Sequence, residues 1–159
     1  MSKFARMAAI AAFVAAPLAA LGSPFASLDD VDAARKRGAI VWDARPADEY
    51  RRGHIPGAVN IGDPTRVLRG THREVFLPTW KIEASLGAAG IEPSREIVVY
   101  GQRGAPQAYF GRFALRYFGA DDVKVYHDGV DGWTAAGREL GTTPTVLQPV
   151  ALRLNPRSE

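Results

Sequence analysis

The segment Gly101-Gln102-Arg103-Gly104-Ala105-Pro106 separates an apolar run, Glu96-Ile97-Val98-Val99-Tyr100, from a stretch whose apolar residues have helical spacing. A loop of this kind offers backbone N–H groups at the start of a helix, where the helix dipole adds partial positive charge, and that combination attracts anions. Arg103 adds a full charge from inside the loop. Arg66, Arg69 and Arg73 of a basic stretch further back are candidates to add more. Pro106 works against such a cradle because it removes one N–H. Two readings stand open: a small anion held by Gly101, Gln102, Arg103, Gly104 and Ala105, or a collapsed turn that binds nothing.

Other chemistry is narrower. The chain of 159 residues has no cysteine, which removes disulfides, thiolate metal sites and thiol nucleophiles. The three histidines, His54, His72 and His127, lack ligand-type spacing, so no metal and no cofactor is expected. Asp43, Arg45 and Glu49 read as a charge-paired corner between a strand and a helix. His54, within Gly53-His54-Ile55-Pro56-Gly57, reads as a hydrogen-bonding residue of a tight turn rather than a catalytic one.

These residues need elements to hold them. Ser27-Leu28-Asp29-Asp30 has the form of a capping box, opening a helix that closes at Gly38. Ala39 to Asp43 is a short apolar run ending in a carboxylate, as in a buried parallel strand. Pro46 to Arg52 gives a helical turn or two, and Val59-Asn60-Ile61 a brief apolar stretch. Residues 62–79 read as a basic loop, and Trp80 to Ala89 as a helix. Pro106 opens a further helix with one apolar face, Tyr109, Phe110, Phe113, Ala114 and Tyr117. Val123 to Tyr126 is a strand, and Trp133 to Ala136 a last helical turn. Strands alternating with helices indicate an α/β fold with an open, mostly parallel sheet. Beyond Arg138 the chain is rich in proline and extended. Val150, Leu152 and Leu154 alternate as in a strand, suited to a sheet edge, a partner or the chain's own domain.

The N-terminus has the form of a secretory signal. Lys3 and Arg6 precede a charge-free run from Met7 to Leu21, and Ala20-Leu21-Gly22 offers small residues for cleavage after Gly22. The run is short for a bilayer span, so no stable membrane insertion is expected once residues 1–22 are removed. The segment holds two of the 20 Lys and Arg and none of the 17 Asp and Glu, so the whole chain's +3 falls to about +1 without it. A charge so close to neutral gives no reason to expect nucleic-acid binding. The expected location is periplasmic or secreted.

From Asp43 through Arg45, Glu49-Tyr50 and Gly53-His54-Ile55-Pro56-Gly57-Ala58 to Asn60, the sequence resembles the rhodanese-like (thiosulfate sulfurtransferase-like) family. A second landmark is Asp128-Gly129-Val130-Asp131-Gly132-Trp133. Family members usually carry a glycine pair near its start, and here the second position is Val130. The resemblance covers residues 27–140. It implies a rhodanese-like single domain with a central, mostly parallel five-stranded sheet flanked by helices, preceded by the signal 1–22 and followed by an extended tail over 141–159.

In active members of that family, a strand like Ile97–Tyr100 ends in a cysteine whose thiolate and persulfide are held by the N–H groups of the loop around it. Gly101 stands at that position here. The resemblance therefore implies a pseudoenzyme without the cysteine nucleophile, an accessory module that binds an unknown protein partner. The alternative is an accessory of sulfur metabolism that holds a small sulfur anion, thiosulfate or sulfite, at 101–106.

Overall fold

The computed structural model describes residues 23–70 and 74–157. The segment 1–22, read above as a signal, and His72 and Arg73 lie outside the described residues. Five parallel strands form one sheet: β1 (Phe25–Ala26), β2 (Ile40–Asp43), β3 (Val59–Asn60), β4 (Ile97–Tyr100) and β5 (Val123–Tyr126), in the order β1-β5-β4-β2-β3. The helices are α1 (Leu28–Arg37), α2 (Ala47–Arg52), α3 (Pro64–Val67), α4 (Thr79–Ala88), α5 (Pro106–Tyr117) and α6 (Gly129–Ala135). Among the described residues no helix is long and apolar enough to cross a membrane.

The central strands are buried on both faces, which is why they read as continuous apolar runs. Their alternation divides the core. Ile40, Trp42, Ile97, Val99, Val123 and Val125 pack with Ile82, Leu86, Ala114 and Leu115. Val41, Val98, Tyr100 and Tyr126 point the other way, towards Val31, Ala34, Tyr50, Val130 and Trp133. The anticipated capping box is present: Ser27 Oγ accepts from the Asp30 N–H at 3.1 Å, and the Ser27 N–H donates to Asp30 Oδ2 at 2.8 Å. Gly38 closes α1 in the left-handed conformation.

Several elements differ from the sequence expectation. The basic loop over 62–79 contains α3, started by Asp63, whose carboxylate accepts from the Thr65 N–H at 2.8 Å, and by Pro64 in the first turn. The last helix begins at Gly129, well before Trp133. Strand β1 is only two residues long, too short for an apolar pattern to announce it. The described part of the tail, up to residue 157, forms no strand. It runs over its own domain, with the Val150 N–H on Gly87 O at 2.9 Å, the Leu154 N–H on Glu83 Oε1 at 2.8 Å and the Arg157 N–H on Tyr117 O at 2.8 Å. Gly87 in α4 permits the approach, since a Cβ there would stand 2.4 Å from Val150 O.

Because all strands run the same way, their carboxyl ends share one edge. Asp43 is in register with Tyr100 and Asn60, and Tyr100 with Tyr126. The chain leaves β2 towards β3 and returns to β4 on β2's other side. That reversal opens the crevice where parallel sheets usually place a ligand, and residues 101–106 lie there, directly after β4.

Candidate functional site

The Asp43 carboxylate is fully buried and carries a dense set of donors. Arg45 reaches it through its backbone N–H at 2.9 Å, Nε at 3.0 Å and Nη2 at 2.6 Å, and Arg45 Nη2 also donates to Gly53 O at 2.7 Å. Tyr100 donates its hydroxyl to Asp43 Oδ2 at 2.7 Å and accepts from the Ile55 N–H at 3.0 Å. The Asn60 amide ties the corner to β3 by donating to the carbonyls of Asp43 and Arg45 at 2.8 and 2.7 Å. Burial opposes the charge on Arg45, but the hydrogen bonds and attraction of Asp43 prevail and hold the guanidinium above its ordinary pKa. Burial, then the neighbouring Asp43 charge, pushes the Tyr100 phenol well above its ordinary value. The corner is thus a largely buried charged pair, with Arg45 at the edge of a cleft beside it.

His54 is also fully buried. Nδ1 lies 2.9 Å from Tyr50 O and Nε2 lies 3.1 Å from Thr143 O, while the ring stacks on Tyr50 at 3.9 Å. Backbone bonds between His54 and Gly141, at 2.9 and 2.8 Å, and one from the Thr145 N–H to the Tyr50 hydroxyl at 3.0 Å bring the tail onto the same turn. The imidazole is a fastener between the Gly-His-Ile-Pro-Gly turn and the tail. It does not reach the 101–106 loop.

The loop is closed from within. The Arg103 N–H donates to Asp131 Oδ2 at 2.7 Å, the Gly104 N–H to His127 O at 2.9 Å and the Ala105 N–H to Gln102 O at 3.1 Å. Gly101 O accepts from the Val130 N–H at 3.0 Å. Three N–H groups of a candidate anion cradle are therefore already engaged. The Arg103 side chain turns to Asp128, with Nε 3.2 Å from Oδ1, and Gln102 donates its amide to Glu49. A Cβ on residue 101 would stand 2.9 Å from the Ala105 methyl, closer than two carbons pack, so a side chain there requires that methyl to shift.

An open cleft of about 370 Å³ beside the loop is lined by Arg45, Glu49, Arg52, Gly53, Gln102 and Leu140. Its cations are paired, Arg45 with Asp43 and Arg52 with Asp48. The structure does not bring Arg66 or Arg69 here: Arg66 pairs with Asp63 at 3.7 Å, and Arg69 lies over the Phe110 ring, 4.1 Å from its centroid, in a different groove. His127 sits at the carboxyl edge after β5, exposed, with Nδ1 against the Tyr109 hydroxyl. Among the described residues no group of His, Asp and Glu is arranged to hold a metal.

Three participants escape sequence reasoning. Asp131 closes the loop, Tyr100 bridges Asp43 to Ile55, and Asn60 supports the corner. Asn60 and Asp131 lie inside recognisable motifs, which was the only signal available. The Asp128–Trp133 segment shows why glycine stands at 129 and a larger residue is accepted at 130. A Cβ on Gly129 would fall 2.1 Å from Gly101 O, whereas the Val130 side chain points into the core.

Residues 27–136 match the Rhodanese-like domain. The chain is 33% identical over 122 residues to a thiosulfate sulfurtransferase of Azotobacter vinelandii, covering 73% of this chain and 44% of that protein. It is 29% identical over 110 residues to a thiosulfate sulfurtransferase of Corynebacterium glutamicum, covering 67% and 36%. The chain spans less than half the length of these curated relatives. In fold it matches the 3-mercaptopyruvate sulfotransferase SseA of Escherichia coli with a TM-score of 0.73 at 21% identity, over 84% of this chain and 55% of that one. The wild-type structure of EanB superposes with a TM-score of 0.62 at 27% identity, over 74% and 31%. The chain belongs to the rhodanese-like domain family and is related to sulfurtransferases, with no cysteine anywhere in its sequence.

Proposed function

We propose that this protein is an exported, non-catalytic rhodanese-like module that works by binding a protein partner. What carries the reading is the Ala105 methyl, 2.9 Å from where a Cβ on residue 101 would stand. The reactive sulfur is missing, the Ala105 methyl crowds its place, and the loop's N–H groups at 103–105 are spent within the protein. No serine or threonine stands in the loop to replace it, and a hydroxyl would in any case need an adjacent base. Export rests on the sequence of residues 1–22.

The alternative, a thiosulfate or sulfite held at the loop for a partner's thiol, has the names of the relatives in its favour and the loop's geometry against it. The N–H groups of Arg103, Gly104 and Ala105 all donate within the protein, and the Glu49 carboxylate lines the mouth. The test pairs a thiosulfate-to-cyanide turnover assay with calorimetric titration of thiosulfate and sulfite into the purified protein. The expected result is no thiocyanate above the blank and no saturable heat. Saturable binding lost in Arg103→Ala would establish the anion reading instead.

A further inference from the structure

Away from the 101–106 loop, further along α5, the molecule carries an open groove of about 710 Å³ whose lining includes Val75, Phe76, Phe110, Phe113, Tyr117 and Phe118. The Phe76 ring is its centre, 5.8 Å from Phe110, 6.1 Å from Phe113, 5.2 Å from Tyr117 and 5.0 Å from Phe118. Burying aromatic area is strongly favourable, yet Phe113 is 55% exposed and Val75 62% exposed. Arg69, Arg116 and Arg157 also line the groove, against a single lining carboxylate, Glu74. Arg69 lies over Phe110 with no carboxylate within ion-pair distance among the described residues, and Arg116 and Arg157 share the exposed Asp121.

We infer that this groove is a docking site for an acidic peptide segment of a partner protein, one that seats a large apolar side chain on the Phe76–Phe113 floor and sets carboxylates against Arg69, Arg116 and Arg157. Charge selects this occupant. A second copy laid face to face would bring the same arginines against each other, which like-charge repulsion opposes. The groove lies between α5 and the 74–78 segment, with Phe118 buried at its base and Phe113 exposed to an incoming side chain. Arginine with aromatic side chains is the composition that concentrates binding energy at protein interfaces. The inference rests on the reading of the chain as a binding module, but its site is separate from the loop on which that reading was built.

The test titrates the full chain with a labelled peptide in which one phenylalanine and one leucine are flanked by glutamates, and with its counterpart carrying lysines. The glutamate peptide is expected to bind saturably, more weakly as salt rises, and the lysine peptide is not. Phe113→Ser and Arg69→Glu should each weaken binding by roughly tenfold or more. Phe113 is exposed, so its variant is expected to keep the wild-type circular dichroism spectrum and melting temperature. Arg69→Gln serves as a second, milder charge variant and should give a smaller loss of binding. Equal binding of both peptides, no binding of either, or unchanged binding by Phe113→Ser overturns the proposal. So does a dimer in sedimentation that Arg69→Glu leaves intact, or stronger retention on phosphatidylglycerol vesicles than on the glutamate peptide. Failure here with thiosulfate turnover still absent removes the groove and leaves the non-catalytic reading standing. Turnover in the sulfur assay would remove that reading whatever the peptides do.

Discussion

At the edge where β2 and β4 end, the Asp43–Arg45 corner is buried and its carboxylate meets Arg45 and Tyr100. The 101–106 loop beside it is exposed from Gln102 to Gly104 and bears no nucleophile. Both stretches belong to the same motif set, and they differ in what the fold needs from them. The corner joins β2, β3, β4 and the turn around His54, so its loss would open the core. The loop needs only to turn the chain from β4 into α5, and glycine, alanine and proline do that without a reactive group. The polar supports of the corner are thus set by what the fold needs, independently of which residue stands at position 101.

The comparison yields graded expectations. Asp43→Ala leaves a buried guanidinium without its carboxylate and should destabilise the protein by about 3–5 kcal/mol in urea unfolding; a small effect would show that the corner is not structural. His54→Ala removes a buried ring and the partner of two carbonyls, and should lower stability by about 2–3 kcal/mol. Amide exchange should quicken over residues 141–145, and unchanged exchange there would sever the turn from the tail. Tyr100→Phe removes one hydroxyl that both donates and accepts, for about 1–2 kcal/mol. Arg103→Ala in the loop should stay within about 0.5 kcal/mol of wild type.

The smallest effect comes from an exposed carboxyl that serves as a control for the buried one. Hydrogen bonds from the Ser27 backbone and side chain hold Asp30 below its ordinary value of 3.8. Its folded pKa is depressed, so its contribution is complete above pH 3.8 and fades as pH falls through the folded value. Acid titration of unfolding should show a shallower loss of stability below pH 3.8 in Asp30→Asn than in wild type.

Much of this was legible before the structure. Apolar runs gave β2, β4 and β5, and Ser27 with Asp30 gave the start of α1, because burial on both faces and end-capping leave local marks. Helix α3 went unread although Asp63-Pro64 is itself a helix start, since four residues carry too little periodicity. The tail's alternation suggested a strand, but Val150 donates to Gly87 in a helix, a contact no local pattern encodes. At the site, the absent thiol was plain from composition. The closing of the loop was not, because the distance between residue 101 and Ala105, and the engagement of Arg103 N–H by Asp131, are tertiary facts.

The central claim is that the loop is closed, and not merely short of one sulfur. Thiosulfate-to-cyanide turnover by purified Gly101→Cys, shown to be folded by its melting curve, tests it most directly, together with intact mass after incubation with thiosulfate. With a closed loop, neither thiocyanate above the blank nor a persulfide adduct is expected. Protein-dependent turnover, or a mass increase of one sulfur, would show that the cradle still works and would contradict the claim.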